Sequence, residues 1–387
     1  MEQAGTTHAL TTLSPILPDR MRELTNRLRV VRYTPGLSRP LLQLAVIHYA
    51  RWTIIDWLPP PEGNGGWRGL RWKYLLFEGT YDGSQADYLQ AFADILPARL
   101  TALWGACFGF DFATQPGPGR SGLTPSGFQE FVELNALDVI DRYAAYPCST
   151  AIDVRQAILL NEVLKEASHD LGDPELEGRV AGQATTAALG PLTPRRPLMD
   201  RVRAVYDPWR RAVRGRYGVN PLTVISPLAR GQDAEVRQAC HAGGGVLQGL
   251  SETQTHFARL VIVPRHMVDL GQPGADVLET PYLLFSCDAW GTAYDQIEAI
   301  RTKLGDTADL IWGRCSGYPP DRNREAFHAW VDSHTLPIRY YVAGYPPRSV
   351  TKVKELLGER DRVKTAYTAE LHPAPGQLLA EVDYDLG

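Results

Sequence analysis

The sequence predicts an α+β chain of two tandem β-α-β-β-α-β units, on three grounds: landmarks that recur once in the same order, clean strand and helix punctuation in the second copy, and strands that are apolar on both faces. His48-Tyr49-Ala50-Arg51 returns as His256-Phe257-Ala258-Arg259, and Leu75-Leu76-Phe77 as Leu283-Leu284-Phe285. The run from Trp104 to Phe110 returns as Trp312 to Tyr318, and all three pairs share one displacement of 208 residues, as from His48 to His256. Ala144-Ala145-Tyr146-Pro147 matches Ala343-Gly344-Tyr345-Pro346 at a displacement of 199, as from Tyr146 to Tyr345, which is expected if the Pro/Gly-rich stretch 114–127 is a longer loop in the first copy. Upstream, the run Leu10 to Ile16 pairs with Leu222 to Leu228.

In the second copy, Gly, Pro and Asp separate strand 222–228, helix 231–242, strand 255–264, strand 281–287, helix 292–304 and strand 308–317. That order is the split-βαβ, ferredoxin-like pattern. Helix 322–334, strand 337–344 and helix 348–358 are read as an extension, and the first copy repeats the plan with strands near 10–16, 46–56, 72–78, 101–110 and 138–145. The expected domains are a first ferredoxin-like repeat over 1–169, a basic linker over 170–220 carrying the arginine run from Arg195 to Arg216, a second repeat over 221–360 and a tail over 361–387. A four-stranded antiparallel sheet with helices on one face leaves the other to be covered. Tyr49, Trp52, Ile54, Ile55 and Trp57 are apolar at both strand parities, as expected if two such sheets cover each other as an intramolecular pseudo-dimeric α+β barrel.

The bulk composition narrows the function classes. A net charge of −4 gives no long-range pull toward nucleic acid or an anionic membrane, so neither is an expected partner. The first residues carry no leader pattern and no run of about 18 apolar residues occurs, which gives a cytoplasmic expectation. Five cysteines without a C-x-x-C pair suggest neither a disulfide framework nor a zinc site. No hydrolase triad order, phosphate loop or H-E-x-x-H spacing is present, and Gly243-Gly244-Gly245 reads as a helix exit.

The twofold β-α-β-β-α-β pattern resembles the dimeric α+β barrel superfamily, which includes chlorite dismutases, dye-decolourising peroxidases, cofactor-free monooxygenases and small isomerases. The H-[FY]-A-R and W-G-x-C-x-G motifs also resemble an uncharacterised bacterial group with that fold. The resemblance implies chemistry on a small apolar or aromatic molecule, with haem or with no cofactor. Gly79-Thr80-Tyr81-Asp82-Gly83 resembles the G-x-x-D-G distal motif of the dye-decolourising peroxidases, which makes Asp82 a candidate for proton handling. The second copy has Trp290-Gly291 at the Asp82-Gly83 position, and the family carries its motif in the C-terminal half rather than the N-terminal half.

The candidate catalytic residues are His48, Arg51, His256, Arg259 and Asp82. On a regular strand residues three apart face opposite sides, so His and Arg of one pair share a cavity only if a bulge intervenes. A buried imidazole there can serve as a base, an oxyanion donor or an axial haem ligand. His256 and His328, the latter on helix 322–334 beside Trp330, are the candidate haem ligands; no metal site is expected. The bland alternative is that His and Arg hold the fold, that His328, His334 and His241 are ordinary helical residues, and that Tyr345 is packing. The expected function is a small-molecule oxidoreductase, haem-dependent or cofactor-free, acting in the barrel cavity, with a homodimer of the pseudo-dimer as a further assembly. The alternatives are a cofactor-free isomerase or cyclase, and a non-catalytic ligand-binding or interaction protein.

Overall fold

A computed structural model describes residues 7–33, 44, 46–61, 68–111, 125–169, 218–241 and 245–371. The arginine run at 195–216 lies outside the described residues. The N-terminal half contains β1 (Thr7–Pro15), α1 (Met21–Tyr33), β2 (Ile47–Leu58), β3 (Arg68–Asp82), α2 (Gln85–Ile95), α3 (Pro97–Trp104), α4 (Pro125–Asn135), β4 (Val139–Ala144) and α5 (Ala151–His169). The C-terminal half contains β5 (Val219–Pro227), α6 (Asp233–His241), β6 (Thr255–Val263), β7 (Tyr282–Trp290), α7 (Ala293–Ala299), α8 (Asp306–Trp312), α9 (Arg324–His334), β8 (Ile338–Ala343) and α10 (Val350–Leu371).

Two four-stranded antiparallel sheets result, in the orders β1-β3-β2-β8 and β4-β6-β7-β5. Each half therefore gives its last strand to the other half's sheet. The registers correspond: Thr7 faces Asp82 and Pro15 faces Tyr74 in one sheet, and Val219 faces Trp290 and Pro227 faces Tyr282 in the other. Just before each exchanged strand, among the described residues, one isolated bridge reaches the opposite sheet, Thr12 to Ala136 and Val224 to Thr335. The ladders thus form two sheets and not the one closed barrel expected from the sequence.

The stretches 101–110 and 308–317, expected as strands, begin instead as helix, over 101–104 and 308–312, and continue as turns around a single bridge. Pro97 occupies the first turn of α3, where its missing N–H costs nothing, and α3 ends at Trp104. α8 likewise ends at Trp312, after which Cys107 and Cys315 each make one bridge, to Ile16 and Leu228. The apolar run Leu100, Leu103, Trp104 belongs to a helix face, and all three are buried. The fourth strand of each half is the one read from the sequence as an appendage.

Contacts divide the chain into two compact units, Met1–Ala151 with Tyr206–Val350, and Ile152–Val205 with Thr351–Gly387. The second unit contains most of α5 and α10, where Leu160 packs with Val163 and Val363 and Arg360 pairs with Asp153. α10 runs to Leu371, so the expected tail from residue 361 begins as helix. In the first unit one apolar cluster joins the β1-β3-β2-β8 sheet to its helices through Trp52, Phe77, Phe92, Trp104, Phe128 and Phe131. A second lies between the sheets, with Leu13, Ile55, Leu76, Ile225, Val261 and Leu284. The double-sided apolar character of β2 follows, since Trp52 and Ile54 face helices while Ile55 faces the other sheet. No described helix is long and apolar enough to cross a membrane.

The seam between β2 and β8 is tight at Gly344, whose N–H donates to the His48 carbonyl at 2.7 Å. A Cβ added there would lie 1.8 Å from the Ile47 carbonyl oxygen. The matching residue of the other seam is Ala145, which donates to the His256 carbonyl at 2.8 Å. Gly344→Ala is expected to cost about 2–4 kcal/mol by overpacking against backbone, whereas Ala145→Gly costs only about 1 kcal/mol. Urea unfolding of the two variants checks this; equal losses would contradict it.

Candidate functional site

The space between the sheets holds the candidate residues. β2 carries a register shift between Ile47 and Tyr49, and β6 carries one between Thr255 and Phe257, so His48 and His256 are each the extra residue of a bulge. The bulge removes the strict alternation that would send His and Arg to opposite sides. In both halves the histidine and the arginine three residues on enter the inter-sheet layer together.

The two arginines reach across it reciprocally. Arg51 on β2 donates to the Leu222 carbonyl at 2.9 Å and the Cys287 carbonyl at 3.2 Å, and pairs with Asp288 at 2.5 Å, all on β5 and β7. Arg259 on β6 donates to the Leu10 carbonyl at 2.8 Å, the Gly79 carbonyl at 2.9 Å and the Thr80 hydroxyl at 2.5 Å, all on β1 and β3. Leu222, Cys287 and Asp288 are the register counterparts of Leu10, Gly79 and Thr80. Glu78 on β3 accepts from Thr223 at 3.2 Å and from Ser286, and lies 3.9 Å from the Arg51 guanidinium. Two guanidinium groups and two carboxylates are thereby buried together, each residue no more than 3% exposed.

The electrostatics follow the differences between the arginine sites, since Asp288 and Glu78 at Arg51 correspond to Thr80 and Ser286 at Arg259. Burial pulls Arg51 down, but Asp288 and Glu78 outweigh it and hold the group above its ordinary value. At Arg259, where Thr80 stands in place of a carboxylate, burial wins over the attraction of Glu78 and the pKa is lowered. Burial likewise raises Asp288, against the pull of Arg51.

A hydrogen-bonded chain fills the other end of the layer. Asp82 Oδ1 lies 2.8 Å from His48 Nε2, His48 Nδ1 3.0 Å from the Tyr345 hydroxyl, that oxygen 2.8 Å from the Tyr146 hydroxyl, and Tyr146 2.8 Å from His256 Nδ1. With Asp82 as carboxylate, the self-consistent assignment has His48 Nε2–H donating to Asp82, Tyr345 donating to His48, Tyr146 donating to Tyr345 and His256 Nδ1–H donating to Tyr146. Burial raises both tyrosines above their ordinary value, so the hydroxyls remain protonated at neutral pH. The second oxygen of Asp82 accepts from the Ala151 N–H at 2.7 Å, at the start of α5. Chemically the chain can hold and relay a proton from one histidine to the other.

Each histidine thus works twice on an exchanged strand. The His48 carbonyl accepts from Gly344 and its ring meets Tyr345, while the His256 carbonyl accepts from Ala145 and its ring meets Tyr146. The sequence reading makes Tyr345 a packing residue and gives Tyr146 no role beyond the repeat; the recurrence of Tyr-Pro just after each exchanged strand is the signal that marks them. Asp288 and Glu78 had no such signal, because the copies differ there.

The residues present do not fit a haem. His256 is fully buried, bonded through Nδ1, and packed against Tyr49 and Tyr146 at ring-centre distances of 5.8 and 5.9 Å. His328 lies apart on α9, with Nε2 3.2 Å from Glu298 and its ring stacked on Tyr294 at 4.3 Å. Neither His256 nor His328 lines the clefts of about 270 and 840 Å³ found among the described residues. His334 is bonded to the Trp330 carbonyl at 2.7 Å and His241 to the Arg237 carbonyl at 2.6 Å, both within their own helices. Among the described residues no group of three or more His, Cys, Asp or Glu side chains could hold a metal ion.

No family model matches the chain, and no curated protein does. Among solved structures it matches one described as the crystal structure of an anthrone oxidase-like protein, at 10% identity over 88% of this chain and 94% of that chain, with a TM-score of 0.25. A likeness of that strength carries no argument about activity.

Two predictions follow from the geometry. Arg51→Met strands Asp288 in the layer and is expected to cost ~3–5 kcal/mol, whereas Arg51→Met with Asp288→Leu recovers most of that loss, since a paired apolar replacement of a buried ion pair is close to neutral. Denaturant unfolding of both variants measures the recovery, and a double variant no more stable than the single one would contradict the pairing. Burial lowers His256 from 6.5 to about 3, with the Arg348 backbone opposing and His48 adding to the shift. The unfolded chain then binds a proton that the folded one refuses, so stability is full above pH 6.5 and declines as the pH falls toward about 3. The loss approaches ~1.4 kcal/mol per pH unit inside that window, and urea midpoints from pH 7 to pH 4 should fall less steeply in His256→Asn.

Proposed function

We propose that this chain is a non-catalytic ligand-binding or interaction protein, in which the inter-sheet layer is a structural clasp and recognition takes place on the outer surface. The observation that carries the reading is the double use of each histidine, backbone and ring together, to hold the strand received from the other half. In this reading the protein descends from a tandem duplication of a ferredoxin-like unit, and the pseudo-symmetric His/Arg pairs are retained because both halves need them. Paired side chains occupy the layer where a barrel enzyme would hold its substrate. Two clefts among the described residues lie elsewhere, one of about 270 Å³ lined by residues of α1 and β8 and one of about 840 Å³ beside α6 and α8.

A second reading has a specific observation in its favour. Asp82 orients His48 and has no carboxylate counterpart beside His256, where Trp290 stands. Such an oriented imidazole, backed by two tyrosines, is suited to cofactor-free acid–base chemistry on a small apolar or aromatic molecule, as an isomerase or oxygenase requires. An oxidoreductase using haem has less support, given the packing around His256 and His328.

Histidine-selective ¹⁵N NMR separates the two readings. The clasp reading predicts that the ring signals of His48 and His256 are unmoved by a panel of small quinones, phenols and polycyclic aromatic compounds. A saturable shift of either ring, lost on Asp82→Asn, would overturn it in favour of the acid–base enzyme.

A further inference from the structure

The hydrogen-bonded chain from Asp82 to His256 has a carboxylate at one end. There Asp82 Oδ1 lies 2.8 Å from His48 Nε2, and Oδ2 accepts from the Ala151 N–H at 2.7 Å. A main-chain N–H in the first turn of a helix can only donate, so it fixes which carboxylate oxygen faces the imidazole. At the other end Trp290 stands at the position equivalent to Asp82. Two tyrosine hydroxyls connect the ends, with His48 to Tyr345 at 3.0 Å, Tyr345 to Tyr146 at 2.8 Å and Tyr146 to His256 at 2.8 Å. All of these residues are buried, none more than 5% exposed.

Each tyrosine hydroxyl and each neutral imidazole carries a single proton, so the direction of one bond in the chain fixes the direction of the next. A hydrogen bond to a carboxylate is about twice as strong as a neutral one, which lets Asp82 set the first. His48 then carries its proton on Nε2 and offers Nδ1 as an acceptor. Tyr345 gives its proton to His48, Tyr146 gives its proton to Tyr345, and His256 donates from Nδ1. Both nitrogens of His48 are engaged in these bonds, so Nε2 of His256 is the imidazole nitrogen that stays basic. Two further groups face the chain: Tyr49 stands beside both tyrosines with its hydroxyl in none of the chain's links, and the Arg348 backbone acts on His256.

We propose that Asp82 is a positioning residue for His256: its charge, passed through His48, Tyr345 and Tyr146, holds the His256 proton on Nδ1 and keeps Nε2 bare. The tautomer of a histidine in one half is thereby set by a carboxylate in the other. This coupling holds under either role of the layer; in the acid–base reading, on which this consequence rests, the base is His256 and not His48. Removing the charge reverses the chain. In Asp82→Asn the amide oxygen still accepts from Ala151, so the amide NH₂ faces His48 Nε2 and donates to it. His48 must then carry its proton on Nδ1, every later bond turns round, and the His256 proton moves to Nε2.

Long-range ¹H–¹⁵N correlation spectra of the full chain near pH 8, with both histidine ring nitrogens labelled, read each tautomer without any ligand, so the outcome is separate from that of the aromatic panel. Wild type is expected to show Nδ1–H at His256 and Nε2–H at His48, each about tenfold or more over the alternative, and Asp82→Asn to exchange both. Tyr345→Phe cuts the chain, so adding Asp82→Asn to it should leave His256 as it is in Tyr345→Phe alone. Tyr49→Phe should keep both wild-type tautomers. Circular dichroism is recorded alongside to show that each variant is folded. An Nε2–H tautomer at His256 in wild type would overturn the proposal, and that result needs no variant to fold. So would an unchanged His256 in Asp82→Asn, a change of His256 on adding Asp82→Asn to Tyr345→Phe, or a changed tautomer in Tyr49→Phe.

Discussion

Burying two guanidinium groups between two sheets is the constraint on which this architecture depends. A buried guanidinium without partners costs several kcal/mol, so each arginine must find acceptors wherever it emerges. Arg51 finds them on β5 and β7, and Arg259 on β1 and β3. Neither sheet can satisfy its own arginine by itself. The exchange of β4 and β8 between halves has the same logic, since each sheet is completed by the other half's strand and locked at its end by a histidine and a tyrosine from opposite halves.

Symmetry and its breaking divide the labour within the layer. The carbonyl acceptors of the arginines, the histidine bulges and the two tyrosines are shared by both halves, as expected of parts that hold a fold. The charged side chains are not: Asp82, Glu78 and Asp288 are opposed by Trp290, Ser286 and Thr80. The carboxylates are spread over both halves, and the layer balances two cations with Glu78 and Asp288. The departure from symmetry thus follows from neutralising a shared interior once, a task that can be met from either side.

Much of this was legible in the sequence. The recurrence of His48-Tyr49-Ala50-Arg51 located β2 and β6, and the Leu-Leu-Phe repeats located β3 and β7. The runs around Trp104 and Trp312 were misread as strands because a short apolar run has no decisive period; Pro97 was the helix-start signal that should have outweighed it. The exchange of β4 and β8 was not legible at all, since hydrophobic alternation fixes which face of a strand is buried and says nothing about which sheet it joins. The histidines and arginines stood out in the sequence as candidates because both copies carry them, and the bulge that lets both enter one layer was foreseen only as a condition. Their partners Tyr146, Tyr345, Glu78 and Asp288 come from distant parts of the chain, and sequence spacing does not bring such residues together.

The most direct test of this interdependence is to produce the two halves as separate chains, divided between residues 169 and 218, and to follow thermal unfolding of each alone and of the pair co-expressed. The account predicts a cooperative transition with near-native circular dichroism only for the co-expressed pair, because each isolated half would expose an unpaired β2 or β6 edge and an arginine without acceptors. A cooperative, native-like transition in either half alone would contradict it.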